Sequence, residues 1–182
     1  MSRGFKSVEI CQAFLLLTTW NQPAERFEEE RTYAFSGVAI RMATDLNLHR
    51  KTTSALPDDA TDEIKTLYHR EVMNRERCWM FCYIIDRSVA TQMGKPAMIA
   101  KEDFILRNCK TWFTQPGAQL TDSGLSALVQ MHRIVGRILD TLYSDTSSVS
   151  GLNPNLDYPL LIRSFLGQLD QWRRDWTIVS TE

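Results

Sequence analysis

The sequence has few cysteines, little glycine or proline, and no excess of charge of either sign. Its four cysteines, at positions 11, 78, 82 and 109, are too scattered for a disulfide framework, which indicates a reducing, intracellular compartment. Lysine and arginine total 21 and aspartate and glutamate total 22, giving a net charge of −1. This balance argues against a free-standing nucleic-acid-binding surface, because phosphate binding depends on a surplus of lysine and arginine.

Long apolar runs are also lacking. The longest runs from Cys78 to Ile85 (CWMFCYII) and is far shorter than the roughly 20 residues of a membrane span. The N-terminal residues contain no continuous apolar segment ahead of a small-residue cleavage site, so no signal peptide is predicted. These absences exclude the secreted, membrane and disordered classes and leave a globular chain of about one domain.

Helical periodicity is the main pattern that is present. Apolar residues recur at spacings of three and four in five segments, and neither a strand pattern nor a repeat is found. The predicted helices span about 7–20, 27–48, 62–91, 123–143 and 156–177. The predicted fold class is therefore all-α, an irregular multi-helix bundle. Its central helix, about 75–90, is expected to be buried, because Cys78 to Ile85 is apolar on every face.

Two segments that connect predicted helices lack the helical pattern of the rest of the chain. Residues 97–120 show no sustained period, and we expect an irregular segment packed by its own aromatic residues. Residues 144–156 are rich in Ser, Asn, Gly and Pro and predict a flexible linker within a single domain spanning 1–182. Gly37 lies inside the second helix, where the close approach of a neighbouring helix would explain it.

Metal ligands and nucleophiles at catalytic spacing are not found. Cys78 and Cys82 share a helix face, but a structural zinc site needs four ligands, so both are interpreted as core cysteines. His49, His69 and His132 lie on different helices or helix ends, and His132 falls on an apolar stripe, where a hydrogen-bonded core histidine is expected. Phosphate-binding, nucleophile-elbow and zinc-protease motifs are missing. No metal, cofactor or catalytic residue is predicted in this chain.

Acidic residues are the other candidates for a catalytic site. Asp45, Asp86, Glu102 and Asp103 could in principle form a carboxylate pair, but general acid–base work needs a geometry that a sequence does not show. Asp86 ends a very apolar helix and is expected to pair with a nearby arginine. We predict that charged residues pair across the second and third helices and fix their register; these are Arg41, Asp45, Arg75, Arg77, Asp86 and Arg87.

Three ordered motifs resemble the fungal-specific transcription factor domain, the middle regulatory region of fungal zinc-cluster transcription factors. The first motif, GVAIRMATDLNLHR, follows the family pattern G-x-A-x-R-x-A-x-D-L-x-L-H. The second motif, NRERCWMFCYIIDR, follows R-R-x-F-W-x-x-x-x-x-D-R, and the third, GKP, follows G-R-P. The late LxxLDQW is similar to the family's final amphipathic helix. The matching first-motif residues are Gly37, Ala39, Arg41, Ala43, Asp45, Leu46, Leu48 and His49. In the later motifs they are Trp79, Asp86, Arg87, Gly94 and Pro96.

Two departures accompany this resemblance. Arg75-Glu76-Arg77 interrupts the usual paired arginines, and Lys95 replaces the arginine of G-R-P. Because lysine does not reproduce a bidentate arginine contact, a bidentate carboxylate clamp is not expected at Lys95. The motif residues Arg75, Arg77 and Lys95 are nevertheless expected to have structural or regulatory roles.

The resemblance implies a nuclear regulator of transcription by RNA polymerase II. The family's DNA-binding module holds zinc through six closely spaced cysteines, and that module is missing here. The chain is therefore expected to be a fragment of the family's longer region, a truncated product, or a family member that lost its DNA-binding end. DNA would be contacted through that module alone. The implied partners are the transcription machinery or a neighbouring activation region, with a small metabolite as effector.

Two alternatives remain open. A structural scaffold of the kinetochore or assembly type would use the same helices purely as an interaction surface, and it predicts a stable homodimer without a ligand response. An all-α enzyme is the other alternative, and nothing in the sequence supplies it with a nucleophile and base.

Overall fold

The computed structural model describes residues 5–53 and 56–179 and is 64% helical. The described residues contain no strand, so the predicted all-α class is confirmed. They form seven helices, numbered in chain order as α1 Val8–Thr19, α2 Thr32–Asp45, α3 Asp62–Met93, α4 Phe104–Arg107, α5 Cys109–Trp112, α6 Asp122–Leu142 and α7 Tyr158–Val179. Within the described ranges, none of these helices is long and apolar enough to cross a membrane.

Helix α1 is capped by Ser7, whose hydroxyl accepts a hydrogen bond from the Ile10 amide at 3.3 Å. Its buried face is offset from the predicted one. The spacing of apolar residues in the sequence predicts a stripe of Ile10, Phe14, Leu17 and Trp20. The structure instead buries Val8, Cys11, Leu15 and Thr18, and Trp20 is 74% exposed. The small Cys11 side chain explains the offset, because it lets α1 approach the fully buried alanines of α2 closely.

Helix α2 is shorter than predicted at both ends. Phe27–Glu29 forms a separate turn of 3-10 helix, and Glu30 is extended. The Glu30 carboxylate accepts from the Thr32 amide at 2.7 Å, so a new helix begins there. At the other end Asn47 has a φ of 56°, a left-handed conformation that ends the helix before the predicted residue Leu48.

Helix α3 is the central element and packs against α1, α2 and α6. Thr61 caps its first turn, and Gly94 closes it in the left-handed conformation at a φ of 61°. Six of the eight residues from Cys78 to Ile85 are buried, but Phe81 is 44% exposed. The expectation that this block is covered on every face is therefore wrong at Phe81. The three neighbouring helices leave that side of α3 open.

Charged residues in the first half of α3 fasten the helices that follow it. Glu76 is 1% exposed, accepts from the Trp112 indole N–H of α5 at 2.7 Å, and forms an ion pair with Lys51 at 3.0 Å. Arg77 donates to both carboxylate oxygens of Asp122 at 2.7 and 2.8 Å. These bonds place α5 and the start of α6 on α3.

The predicted charge network between α2 and α3 is wrong. Among the described residues, none of its six members forms an ion pair with another. Asp45 pairs instead with the exposed Lys6, and Arg75 donates to the Leu46 carbonyl at 2.9 Å. Small side chains allow α2 to pack closely on its neighbours, since Ala39 and Ala43 are fully buried, so the contact between α2 and α3 is mainly apolar.

The two irregular connections have internal order. Residues 97–120 contain the short helices α4 and α5, with Trp112 buried. In the segment after α6, the Asp145 amide donates to the Gly151 carbonyl at 3.0 Å and the Asn153 amide to the Leu142 carbonyl at 2.9 Å. The flexibility of 144–156, and the single-domain organisation of 1–182, stay predictions.

The first testable consequence concerns Glu76. Glu76→Ala removes the partner of a lysine ammonium and of a buried indole N–H, so we expect the free energy of unfolding to fall by about 3 kcal/mol. Urea denaturation measures this loss. Glu63→Ala is the matched control, because Glu63 lies on the same helix but is exposed, and we expect a change within about 0.5 kcal/mol. Equal losses in the two variants would contradict this role of Glu76.

Candidate functional site

The candidate site lies where α3 ends and the chain turns back. Gly94 allows the turn, and the Lys95 amide donates to the Ala90 carbonyl at 2.9 Å. Residues 94–103 then run alongside the last turns of α3. Gly37 of α2 faces this segment, because a Cβ at Gly37 would lie 3.4 Å from the Met98 sulfur. The close neighbour of Gly37 is therefore an irregular segment and not the helix that the sequence suggested.

Asp86 holds this segment through its backbone. The Asp86 carboxylate is 2% exposed and accepts from the Met98 and Ile99 amides at 2.9 and 2.8 Å. The expected arginine partner of Asp86 is thus replaced by two amide groups, which satisfy a buried carboxylate without a second charge. The neighbouring Arg87 donates to the Ile99 carbonyl at 2.9 Å, so both residues of the D-R pair bind the same segment.

Arg87 also faces open space. Its guanidinium carbon lies 5.4 Å from the centre of the Tyr83 ring, and its Nε is buried without a hydrogen-bond partner in the described part of the chain. Gly136 of α6 stands opposite, where a Cβ would come within 3.5 Å of the guanidinium. The missing side chain at Gly136 therefore leaves room for Arg87 between α3 and α6.

A cleft opens around Arg87 between α3, the 94–97 turn and α6, and we call it the α3–α6 cleft. It has a volume of about 570 Å³ and adjoins a second hollow of about 390 Å³ that shares Arg87, Gly136 and Asp140. Four cationic and two anionic side chains line the two hollows, so the cleft favours an anion. These side chains are Arg87, Lys95, Arg133, Arg137, Glu102 and Asp140.

Glu102 and Arg133 neutralise each other at one wall of the cleft. Arg133 donates to the two carboxylate oxygens at 2.8 and 2.7 Å. Burial opposes ionisation of Glu102, but the bonds and charge of Arg133 outweigh burial and lower the pKa of its carboxyl. The cationic character of the cleft therefore comes from Arg87, Lys95 and Arg137.

Lys95 sits at the position where the resembling family has arginine. Its ammonium lies 4.6 Å from the centre of the Tyr33 ring and 5.7 Å from that of Phe27. The Tyr33 hydroxyl donates to the Pro96 carbonyl at 3.0 Å. Aromatic rings thus take the place of a carboxylate clamp at this turn.

A third hollow, of about 300 Å³, lies on the α2 side of residues 98–103. His49 and Trp79 line it, with ring centres 5.7 Å apart. The Trp79 indole donates to Asp103 at 2.5 Å, and the His49 Nδ1 is buried without a partner among the described residues. Asp103 in turn caps α4 by accepting from two of its amides.

The motif residues thus fall into separate groups. Asp86, Arg87, Gly94, Lys95 and Pro96 surround the cleft or position its walls. Ala39, Ala43, Leu46, His49, Arg75 and Trp79 belong to the contacts between α2 and α3, and Arg77 binds α6. Arg41 and Asp45 are exposed and apart from both groups.

The α6 wall of the cleft was not predictable from local sequence patterns. Arg133, Arg137 and Asp140 have no local pattern that marks them. Gly136 was the available signal, because a glycine within an amphipathic helix indicates a close approach. On the same helix His132 is a hydrogen-bonded core residue as predicted, with its ring nitrogens 2.8 Å from the Ser88 hydroxyl and 2.9 Å from the Leu128 carbonyl.

Three cysteine thiols form a second cluster, away from the cleft, which we call the thiol triad. Cys11 of α1 joins Cys78 and Cys82 of α3, and the three sulfur atoms lie within 4.8 Å of one another. Hydrogen bonding to Cys11 and burial raise the pKa of Cys78 to about 12, and raise the pKa of Cys82 well above its usual range. Cys78 and Cys82 are therefore protonated at neutral pH and are poor nucleophiles.

Fold and cleft together define an all-α domain with a cleft lined mainly by cationic side chains. The model of the fungal specific transcription factor domain matches residues 1–174. The chain belongs to that family, and the resemblance seen in its motifs is confirmed.

Curated relatives are much longer than this chain. Protein priB of Lentinula edodes is 29% identical over 91% of the chain and 27% of its own length. Transcriptional activator of proteases prtT of Emericella nidulans is 28% identical over 81% of the chain and 20% of its own length. C6 finger domain transcription factor hasF of Aspergillus fumigatus is 33% identical over 54% of the chain and 12% of its own length. No solved structure matches the chain significantly.

The site generates a prediction about Asp86. Asp86→Ala leaves the Met98 and Ile99 amides without an acceptor, so we expect a loss of about 2–4 kcal/mol in the free energy of unfolding. Amide hydrogen exchange provides a local readout, with protection of those two amides lost first.

Asp45→Ala serves as the control, because Asp45 is exposed and pairs with Lys6 alone. We expect this change to cost less than about 1 kcal/mol. Unaltered exchange at Met98 and Ile99 in Asp86→Ala would show that the carboxylate does not hold the segment.

Proposed function

We propose that this chain is a regulatory region that controls transcription by RNA polymerase II in the nucleus, and that it has no enzymatic activity of its own. Family membership and the names of the relatives, a transcriptional activator and a C6 finger transcription factor among them, support this proposal. The chain contains four cysteines in all, so the six-cysteine zinc module of such factors would lie outside it. DNA contact, zinc binding and target choice would belong to that module.

The regulatory signal is a small anionic metabolite bound in the α3–α6 cleft. The observation that carries this proposal is the excess of cationic side chains, because Arg87 and Lys95 line the cleft and Arg137 lines the adjoining hollow, with Asp140 as the carboxylate common to both. An anionic ligand would be attracted by this excess of positive charge. The volume of about 570 Å³ fits a small metabolite.

Regulation requires two states of different affinity for the ligand. The cleft joins elements far apart in sequence, α3 with the 94–97 turn on one side and α6 on the other. A ligand bridging Arg87 and Arg137 would favour the arrangement in which α6 is close to α3. In the arrangement without ligand, α6 would lie farther from α3. The two arrangements would differ in how they restrain a neighbouring activation region or a partner from the transcription machinery.

A structural interaction scaffold is the second candidate. The observation that favours it is the exposure of large apolar side chains on α7, where Leu160, Ile162 and Leu166 are each more than half exposed. Such surfaces mark protein contacts when they are contiguous. This candidate predicts a stable homodimer and no response to metabolites.

Thermal melting of the chain with a panel of small carboxylates and phosphates tests the effector proposal. A ligand at a hundred times its Kd stabilises the folded state by about 2.7 kcal/mol, so a binder raises the melting temperature. We expect Arg87→Met and Arg137→Met to abolish the ligand-induced rise, each compared with its own unliganded melting temperature.

Arg163→Met is the matched control. Arg163 is exposed on α7 and does not line the cleft, so its variant should keep the full response. A ligand-induced rise that survives in both cleft variants would overturn the cleft as its site. A homodimer that responds to no member of the panel would favour the scaffold.

A further inference from the structure

The thiol triad has the geometry of a three-coordinate site. The Cys11 and Cys82 sulfur atoms are 3.9 Å apart, and no pair in the triad exceeds 4.8 Å. Three sulfur ligands at about 2.3 Å from one ion lie roughly 3.3–4.0 Å from each other, with the shorter distances in a pyramidal arrangement. The triad therefore needs side-chain adjustments of less than about 1 Å to close on an ion, without a change of backbone.

The surroundings restrict which ion can occupy the triad. The exposures of Cys11, Cys78 and Cys82 are 0%, 2% and 0%, and no histidine or carboxylate among the described residues joins the group. Zinc in a structural site requires a fourth ligand. A complex of three thiolates with monovalent copper would carry two negative charges into an apolar core, and the nearest polar group, the Ala39 carbonyl 3.2 Å from Cys11, does not compensate them.

A trivalent thiophilic ion meets both restrictions. With three thiolates it forms a neutral trigonal pyramid, whose lone pair takes the place of a fourth ligand. We propose that Cys11, Cys78 and Cys82 form a binding site for trivalent arsenic, taken up as arsenous acid. The structure supplies the three sulfur atoms, their spacing and an apolar enclosure that favours an uncharged product.

The binding step balances without an oxidant or a reductant. Three S–H bonds and three As–O bonds break, three As–S bonds form, and the three protons leave with the hydroxyl groups as three water molecules. Arsenic stays trivalent throughout.

Access to the triad requires α1 to separate locally from α3, because the sulfur atoms are enclosed between these helices. Local opening of one helix costs less than global unfolding. Once three As–S bonds join α1 to α3, that opening is prevented, and the folded state is stabilised. The measurable consequence is a higher melting temperature with one bound arsenic atom.

Arsenite, zinc and monovalent copper added separately to the 182-residue chain test the proposal. After desalting, we expect one equivalent of arsenic, a raised melting temperature, and in native mass spectrometry the mass of one arsenic atom less three hydrogens. That mass identifies three bonded thiols without any substitution, so the test stands even if a triad variant does not fold.

Substitutions then assign the thiols. Cys11→Ala, Cys78→Ala and Cys82→Ala should each abolish both the uptake and the rise in melting temperature. Cys109→Ala is the matched control, because Cys109 is equally buried but lies beside Arg133, and it should keep both. Absence of arsenic uptake, uptake of zinc or copper in preference to arsenite, or loss of uptake in Cys109→Ala would overturn the proposal.

Discussion

The structure depends on how α3 satisfies the charged groups that it buries. The central example is Asp86, whose carboxylate lies in a nearly closed environment and accepts two backbone amides of residues 98 and 99. A buried carboxylate without such partners would cost several kcal/mol, so the segment that supplies the amides must follow α3 closely. The left-handed Gly94 makes this return possible, because it reverses the chain directly after the last turn of α3. One electrostatic requirement thereby determines the course of the whole 94–103 segment.

The same requirement positions the remaining helices. Glu76 draws α5 onto α3 through the Trp112 indole, and Arg77 binds the first residue of α6 through both oxygens of Asp122. Ser88 and His132 join α3 to the middle of α6. These bonds hold α6 at a distance where Gly136 faces Arg87, which leaves the cleft open. The cleft is thus a consequence of where α3 carries its polar groups, and its cationic side chains come from both helices.

Sequence patterns predicted the helices well and their partners poorly. The periodicity of α3, α6 and α7 is sustained over many residues, so their existence and approximate bounds could be predicted. The buried face of α1 could not, because two neighbouring stripes were both apolar and the choice depended on Cys11 fitting against α2. The partner of Asp86 was missed for a related reason: backbone amides have no signature in a sequence. The thiol triad could not be predicted either, because Cys11 precedes Cys78 by 67 residues. Only the packing of α1 on α3 brings Cys11 close to Cys78 and Cys82.

The thiol triad and the cleft are connected by consecutive contacts through α2 and the 94–103 segment. Cys11 donates to the Ala39 carbonyl, and Gly37 on the same helix faces Met98, whose sulfur would lie 3.4 Å from a Cβ at that position. The Met98 amide donates to Asp86. Arg87, the next residue, lines the cleft. Contact alone does not make two sites interdependent; that requires an element with two arrangements that both sites influence. The 94–103 segment is suited to this role, because most of it is irregular, it is held by side chains of α3, and it lies against both α2 and the cleft. Joining α1 to α3 at the triad would restrict α2, and through Gly37 it would restrict the position of Met98 and hence of the segment that Asp86 and Arg87 share.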